Sequence, residues 1–180
     1  MEIKRGEIEG LVEIQPKVFG DERGFFLESF NLNKYKDFLG DFDFVQDNQS
    51  MSAKGVLRGL HFQSPPFDQG KLVQVIKGSV LDVALDIRKK SPTYGKHYKV
   101  ILSEKDKNQF WIPPGFAHGF CSLEDNTIFS YKCTNYYAPS HEMSILWNDP
   151  NLNIDWEIEN PIISEKDKNG TLFAKFDSPF

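Results

Sequence analysis

The sequence predicts an all-β protein, an antiparallel sandwich or barrel with short peripheral helices. Three observations carry that expectation. Alternation with a period of two runs through KLVQVIKG and SVLDVALDIRK, from Lys71 to Lys89. Short candidate strands follow one another at fairly regular spacing within one domain. No repeated βα alternation points to a doubly wound sheet.

Taken in chain order, Gly24–Phe30 alternates loosely, with Phe26, Glu28 and Phe30 on one side and Phe25, Leu27 and Ser29 on the other. Leu32–Leu39 predicts one or two helical turns with Leu32, Tyr35 and Leu39 near one face. In the strongest strand, Val80, Asp82, Ala84 and Asp86 share one face, while Leu81, Val83, Leu85 and Ile87 share the other. That pattern predicts one dry and one wet face. Gly78, beside Lys77, reads as the turn of a hairpin. Further strands are expected at His97–Leu102, Asn108–Ile112, His118–Ser122, Ile128–Tyr136 and Ser144–Trp147. Breaks fall at Ser91-Pro92, Pro113-Pro114-Gly115, Ala138-Pro139 and Asp149-Pro150. The tail from Asn151 is polar with isolated anchors at Ile154, Trp156, Ile162 and Ile163. It is expected to wrap the barrel, with a short helix near Ser164–Lys168.

The 180 residues fit a single domain spanning 1–180. The net charge of -5, without any Lys/Arg block, argues against a nucleic-acid surface. No apolar run approaches the roughly 20 residues that cross a bilayer, and the first residues hold no apolar signal segment, so the expected location is cytoplasmic. Cys121 and Cys133 fit no zinc or redox spacing and read as reduced core residues.

The chemistry gathers around histidine. His61 lies in GVLRGLHFQ with Arg58 and Gln63, and His118 follows a rigid turn in FWIPPGFAHGF. A neutral imidazole takes a proton near physiological pH, which makes either one a candidate general base. Gly55, His61, Gln63 and Gly78 resemble the first motif of the cupin superfamily. Pro113, Gly115 and His118 resemble the second, which implies a cupin-type jelly-roll β-barrel. Many metal-binding cupins carry a second His where this chain has Gln63 and a Glu where it has Lys71. An amide is a weak ligand and an ammonium repels a divalent cation, so no metal site of that type is expected. A cation at Lys71 suits another task, stabilising the oxyanion of an enolate in a dry pocket, where each such contact contributes about 3–4 kcal/mol.

A narrower resemblance follows from the ordered segments Phe19–Glu28, Gln46–Ser50, Gly55–Gln63, Gln69–Val73, Pro113–Phe120, Tyr131–Tyr137 and Ile163–Asp167. Together they resemble the dTDP-4-dehydrorhamnose 3,5-epimerase family over nearly the whole chain. The resemblance implies inversion at C3 and C5 of dTDP-4-dehydro-6-deoxy-D-glucose, a dTDP-4-keto-6-deoxy sugar, without a redox or other cofactor. It makes His61 the base, Asp167 its carboxylate partner, Tyr131 the acid on the opposite face and Lys71 the enolate-stabilising cation. His118 becomes a pocket residue near the dyad. Arg23, Glu28, Gln46, Asn48, Arg58 and Tyr137 become substrate contacts, Arg58 and Arg23 suiting the diphosphate because a guanidinium offers it two parallel donors. It also implies a homodimer with exchanged N-terminal strands, so that Arg23 and Glu28 serve the partner's site.

Strict alternation places Arg58 and His61 on opposite faces, since they are three residues apart; a bulge there is the alternative. Competing readings are a 3-epimerase, a 3,4-ketoisomerase, a metal-dependent cupin, and a noncatalytic sugar-binding β-sandwich stacking its ligand on Trp111, Phe116 and Tyr137.

Overall fold

The computed structural model describes residues 1–180 and is built from strands, as expected. Strands β1 (Glu2–Arg5), β2 (Val12–Gln15), β3 (Val18–Asp21) and β4 (Gly24–Leu27) precede helix α1 (Leu32–Leu39). Then come β5 (Gln46–Ser52), β6 (Val56–Gln63), β7 (Lys71–Lys77), β8 (Ser79–Asp86), β9 (His97–Ser103), β10 (Gln109–Ile112), β11 (Phe116–Ser122) and β12 (Thr127–Cys133). The C-terminal part adds β13 (Glu142–Ser144), β14 (Ile162–Ile163) and helix α2 (Glu165–Lys168). One sheet runs β1-β2-β10-β7-β12-β5, and the other runs β13-β6-β11-β8-β9 with β14 parallel to β6.

The two sheets face each other, and three apolar clusters account for the layers. Val73, Val75, Phe110, Phe129, Val80, Ala84, Phe116 and Phe120 fill the space between them. Leu57, Leu60, Phe62, Leu81, Val83, Leu85 and Cys121 lie on the outer face of the second sheet, under the tail residues Leu152, Ile154 and Trp156. Val12, Ile14, Leu72 and Trp111 lie on the outer face of the first, under Tyr35 and Leu39 of α1.

This layering corrects one expectation. The alternation in β8 is real, but every residue of Ser79–Asp86 is buried. The face read as wet points into the barrel, where Asp82 meets His118 and Asp86 accepts from Arg88, Ser91 and Thr93. Polar residues at alternate positions therefore mark paired interior groups here. The ends of other elements shift. Strand β12 stops at Cys133 rather than Tyr136, β13 lies upstream of the expected Ser144–Trp147, and β4 stops at Leu27 with Phe25 and Phe26 both exposed.

The bulge is present. His118 pairs with His61 and Phe120 with Arg58, so Gly59 and Leu60 stand opposite Gly119 alone. Leu57, Leu60 and Phe62 then point to the outer cluster, while Arg58 and His61 both reach the interior. Glycine is required at the crossing: Gly59 has φ +139°, and a Cβ there would stand 2.5 Å from Cα of Gly119. A Gly59→Ala substitution should therefore destabilise the fold by about 2 kcal/mol or more. Gly20→Ala, where the nearest atom to a new Cβ is 3.8 Å away, should stay within about 0.5 kcal/mol of wild type in the same denaturant titration.

Candidate active site

The interior is apolar towards β9 and β10 and polar towards β5 and β6, and the polar end is open. Two adjoining cavities of about 310 and 330 Å³ share His61, Lys71 and Tyr131. The first is completed by Ser50, Arg58, His118, Phe120, Phe129 and residues of the α2 segment; the second by Gln46, Asn48, Gln63, Gln69, Tyr137 and Glu142.

Strand register sets the wall on the first sheet. Lys71 pairs with Cys133 and Cys133 with Gln46; Val73 pairs with Tyr131 and Tyr131 with Asn48; Val75 pairs with Phe129 and Phe129 with Ser50. These nine positions form a grid on one face, with Tyr131 at its centre and Lys71 and Ser50 at opposite corners. The facing wall, from the second sheet, carries His61 and His118.

Each of these histidines has a carboxylate. His61 Nε2 lies 2.6 Å from Asp167 Oδ1. Asp167 rides on α2, whose cap Ser164 accepts the Asp167 N–H at 3.2 Å, and Gly59 N–H approaches Oδ2 at 3.4 Å. Burial alone would raise the Asp167 carboxyl, but His61, Gly59 and Ser164 hold it below the ordinary value. His118 Nε2 lies 2.9 and 3.0 Å from the two oxygens of Asp82, whose side chain is fully buried. Burial lowers the His118 pKa, against the pull of Asp82 and with help from the charges of Lys71 and His61.

Opposite, Lys71 lines both cavities and has no ion-pair or hydrogen-bond partner. Burial lowers its pKa, opposed by Cys133, Glu142 and Asp82. Burial likewise raises the Tyr131 phenol; Cys133 and Glu142 add to that, while Arg58 opposes it.

Of the expected substrate contacts, Arg58, His118, Gln46, Asn48 and Tyr137 all line these cavities. Arg58 is anchored by Nε to Ser52 Oγ at 3.3 Å, which leaves its terminal nitrogens free. Arg23 and Glu28 are elsewhere. Arg23 pairs with Asp21 beside a separate cleft of the β3–β4 hairpin, and Glu28 pairs with Lys34 at 2.8 Å. Gln63, at the cupin ligand position, is a clamp: its Oε1 accepts from Ala138 N–H, and its Nε2 donates to the carbonyls of Phe67 and Tyr136. No cluster of three His, Cys, Asp or Glu side chains gathers with metal-binding geometry.

Sequence reasoning missed Asp82, Ser50, Glu142 and Lys166. Glu142 accepts from the Tyr137 hydroxyl at 2.8 Å and pairs with Lys166 at 2.5 Å beside the dyad. Asp82 was read on the wet face of β8, and only its buried partner His118 shows that it belongs to the interior. Ser50 and Lys166 lie in the segments Gln46–Ser50 and Ile163–Asp167 that carry the resemblance but were given no role, and nothing local marked Glu142.

A family profile described as dTDP-4-dehydrorhamnose 3,5-epimerase matches residues 5–175. The chain belongs to that family. The dTDP-4-dehydrorhamnose 3,5-epimerase of Shigella flexneri is 53% identical over 98% of both chains. A dTDP-6-deoxy-D-glucose-3,5-epimerase from Legionella pneumophila, solved in complex with dTDP-4-keto-L-rhamnose, is 52% identical with a TM-score of 0.94, covering 98% of this chain and 94% of that one. A 3'-monoepimerase from Streptomyces bikiniensis, solved with dTDP-quinovose, is 33% identical with a TM-score of 0.89, covering 93% and 86%. As a dTDP-4-dehydrorhamnose 3,5-epimerase the chain is an isomerase, and its barrel is the cupin architecture of these relatives. The sugar-binding alternative loses its stacking surface, because Trp111 and Phe116 are buried in different clusters.

Asp167 gives a prediction with a definite sign. Its folded pKa is lowered, so the stability it contributes is complete above the ordinary value of 3.8 and is lost as pH falls through the folded value. Denaturant titrations of wild type and Asp167→Asn should differ at neutral pH and converge on acidification below that value; a gap that widens in acid would contradict the assignment.

Proposed function

We propose that His61, oriented by Asp167, removes the C3 and C5 protons of dTDP-4-dehydro-6-deoxy-D-glucose, and that Tyr131 returns protons on the other face. The product is dTDP-4-dehydro-6-deoxy-L-mannose. One observation carries the assignment of roles: His61 and Tyr131 reach the same two cavities from opposite sheets. A hexose ring between the sheets has one face towards the imidazole and the other towards the phenol.

The 4-keto group acidifies both neighbouring C–H bonds. When His61 takes the proton, the C–H electron pair moves into the C3–C4 or C4–C5 bond and the carbonyl pair moves to O4 as an enolate. Lys71 is placed to meet that charge, in a site where such a contact is worth about 3–4 kcal/mol. The enolate then collapses onto the Tyr131 proton, which inverts the carbon; solvent resets the phenolate and imidazolium. A phenol is a weak acid in water, but an enolate is basic enough to take its proton. Every C–H bond broken is remade, so no electron acceptor enters the balance. Asp167 fixes the His61 tautomer and stabilises the imidazolium formed at each abstraction. In this reading Gln46, Asn48, Arg58, His118 and Tyr137 bind the nucleotide sugar. Cys121 and Cys133 are unpaired, which fits the reducing cytoplasm.

The homodimer belongs to the same proposal. The β3–β4 hairpin pairs only with itself, exposes Phe19, Phe25 and Phe26 by 54 to 69%, and holds Arg23 away from the chain's own cavities. Exchange of this hairpin would cover those rings and carry Arg23 and Glu28 to the partner's site.

In deuterated buffer, NMR of the product should show label at both C3 and C5. Label at C3 alone supports the 3-epimerase instead, and a displaced carbonyl the 3,4-ketoisomerase. His61→Ala should abolish exchange at both carbons while binding of dTDP persists, and Tyr131→Phe should slow reprotonation by roughly 100-fold or more. Full activity in His61→Ala would remove the base assignment. For the exchanged dimer, inactive Arg23→Ala and His61→Ala chains refolded together should recover about a quarter of wild-type activity, because hybrid dimers hold one complete site. No recovery on mixing would show that each chain uses its own Arg23.

A further inference from the structure

Asp167 is the buried residue of α2, a helix of four residues that is too short to be stable by itself. The chain on either side is what holds its carboxylate 2.6 Å from His61 Nε2. Upstream, Ile162 and Ile163 pair in parallel with Val56 and Leu57 of β6, and Ile162 N–H donates to the Gly55 carbonyl at 2.8 Å. Downstream, Thr171 bridges in parallel to Ile145. Thr171 N–H donates to the Ser144 carbonyl and Leu146 N–H to the Thr171 carbonyl, both at 2.9 Å. Ser144 is in turn the β13 residue that pairs with His61. The bridge therefore ties the position of α2 to the backbone of the base itself. Behind it, Phe173 N–H donates at 2.7 Å to the buried Asp149, which also accepts from Asn151 N–H at 2.8 Å.

Gly170 lies between the helix and this bridge, and the requirement there is space. A Cβ would stand 2.7 Å from Leu146 N and 2.8 Å from Ile145 C and Leu146 Cα, all backbone atoms that cannot turn aside. With any side chain at 170, the bridge opens or the segment after α2 lifts off the chain at Ile145 and Leu146. Gly170 itself lines neither cavity. We propose that Gly170 is a positioning residue for proton abstraction: by letting the chain lie directly on Ile145 and Leu146, it sets the reach of Asp167 to His61. This rests on the reading of His61 as the base.

Gly170→Ala, Asp167→Asn and the double variant, compared with wild type by deuterium wash-in at C3 and C5 and by titration with dTDP, test it. Gly170→Ala should lower kcat for exchange roughly 10- to 100-fold, the effect of displacing a catalytic group by about 1 Å. Its affinity for dTDP should stay within about threefold of wild type, because the nucleotide contacts sit on other elements. In the Asp167→Asn background the same change should cost less than about threefold, since a residue that acts through Asp167 then has nothing left to act on. Wild-type exchange in Gly170→Ala, a parallel loss of dTDP affinity, or an undiminished effect on top of Asp167→Asn would overturn the proposal. Should Gly170→Ala fail to fold, amide hydrogen exchange of wild type decides. Leu146 and Thr171 amides as protected as those of β6 support the bridge, and exchange at the rate of exposed loops rejects it. Full activity in Asp167→Asn would instead remove the dyad reading, and this proposal with it.

Discussion

The close approach of the Gly59 and Gly119 backbones sets where Arg58 and His61 stand. A regular β6 would direct Arg58 and His61 to opposite sides, burying one of them among the leucines of the outer cluster. The extra residue at Gly59 restores both to the interior while Leu57, Leu60 and Phe62 keep their places outside. The Gly59 N–H also faces the Asp167 carboxylate, so the irregularity supports the dyad as well as aiming it. Side chains at either glycine would hold the strands apart, since a Cβ on Gly119 would stand 2.8 Å from the Arg58 carbonyl.

Burial acts on the two walls in a consistent way. It drives the Lys71 ammonium, the His118 imidazolium and the Tyr131 phenolate towards their uncharged forms. The Asp167 carboxylate resists this, because its hydrogen bonds outweigh its desolvation. The site thus keeps a fixed negative charge behind His61, where the proposed mechanism forms a transient positive charge. On the opposite wall the raised pKa keeps the Tyr131 phenol protonated, as the proposed mechanism requires of it. Separation of these roles between two sheets is what a jelly roll supplies with little adaptation, since each sheet contributes its own inward face.

The sequence made the strands and the short helices legible because burial and chain reversal are local signals. Period two in β8, Gly78 at the hairpin, α1 at Leu32–Leu39 and the short helix near Ser164–Lys168 were all readable. The polar strand β5 was not, because QDNQSMS carries no apolar alternation; its inward residues serve the cavity rather than the core. Asp82 was misread for a related reason, since a carboxylate at an alternate position signals solvent unless its buried partner is known. The spacing of Arg58 and His61, with the resemblance asking for both in the site, left a bulge or a wrongly read strand, and the bulge is what the fold contains. The Gln63 clamp was beyond reach, since its partners Phe67, Tyr136 and Ala138 are assembled only by the fold.

His61 and Asp167 are separated by 106 positions along the chain, although their side chains touch. Contacts of such span are closed late and slowly, because ordering a long loop costs entropy before the contact rewards it. The β7–β8 and β8–β9 hairpins are local and can form early, whereas the α2 segment docks only onto an assembled β6. The His61–Asp167 pair is therefore a product of tertiary docking, and barrel walls without the docked α2 segment would leave His61 with no carboxylate behind it.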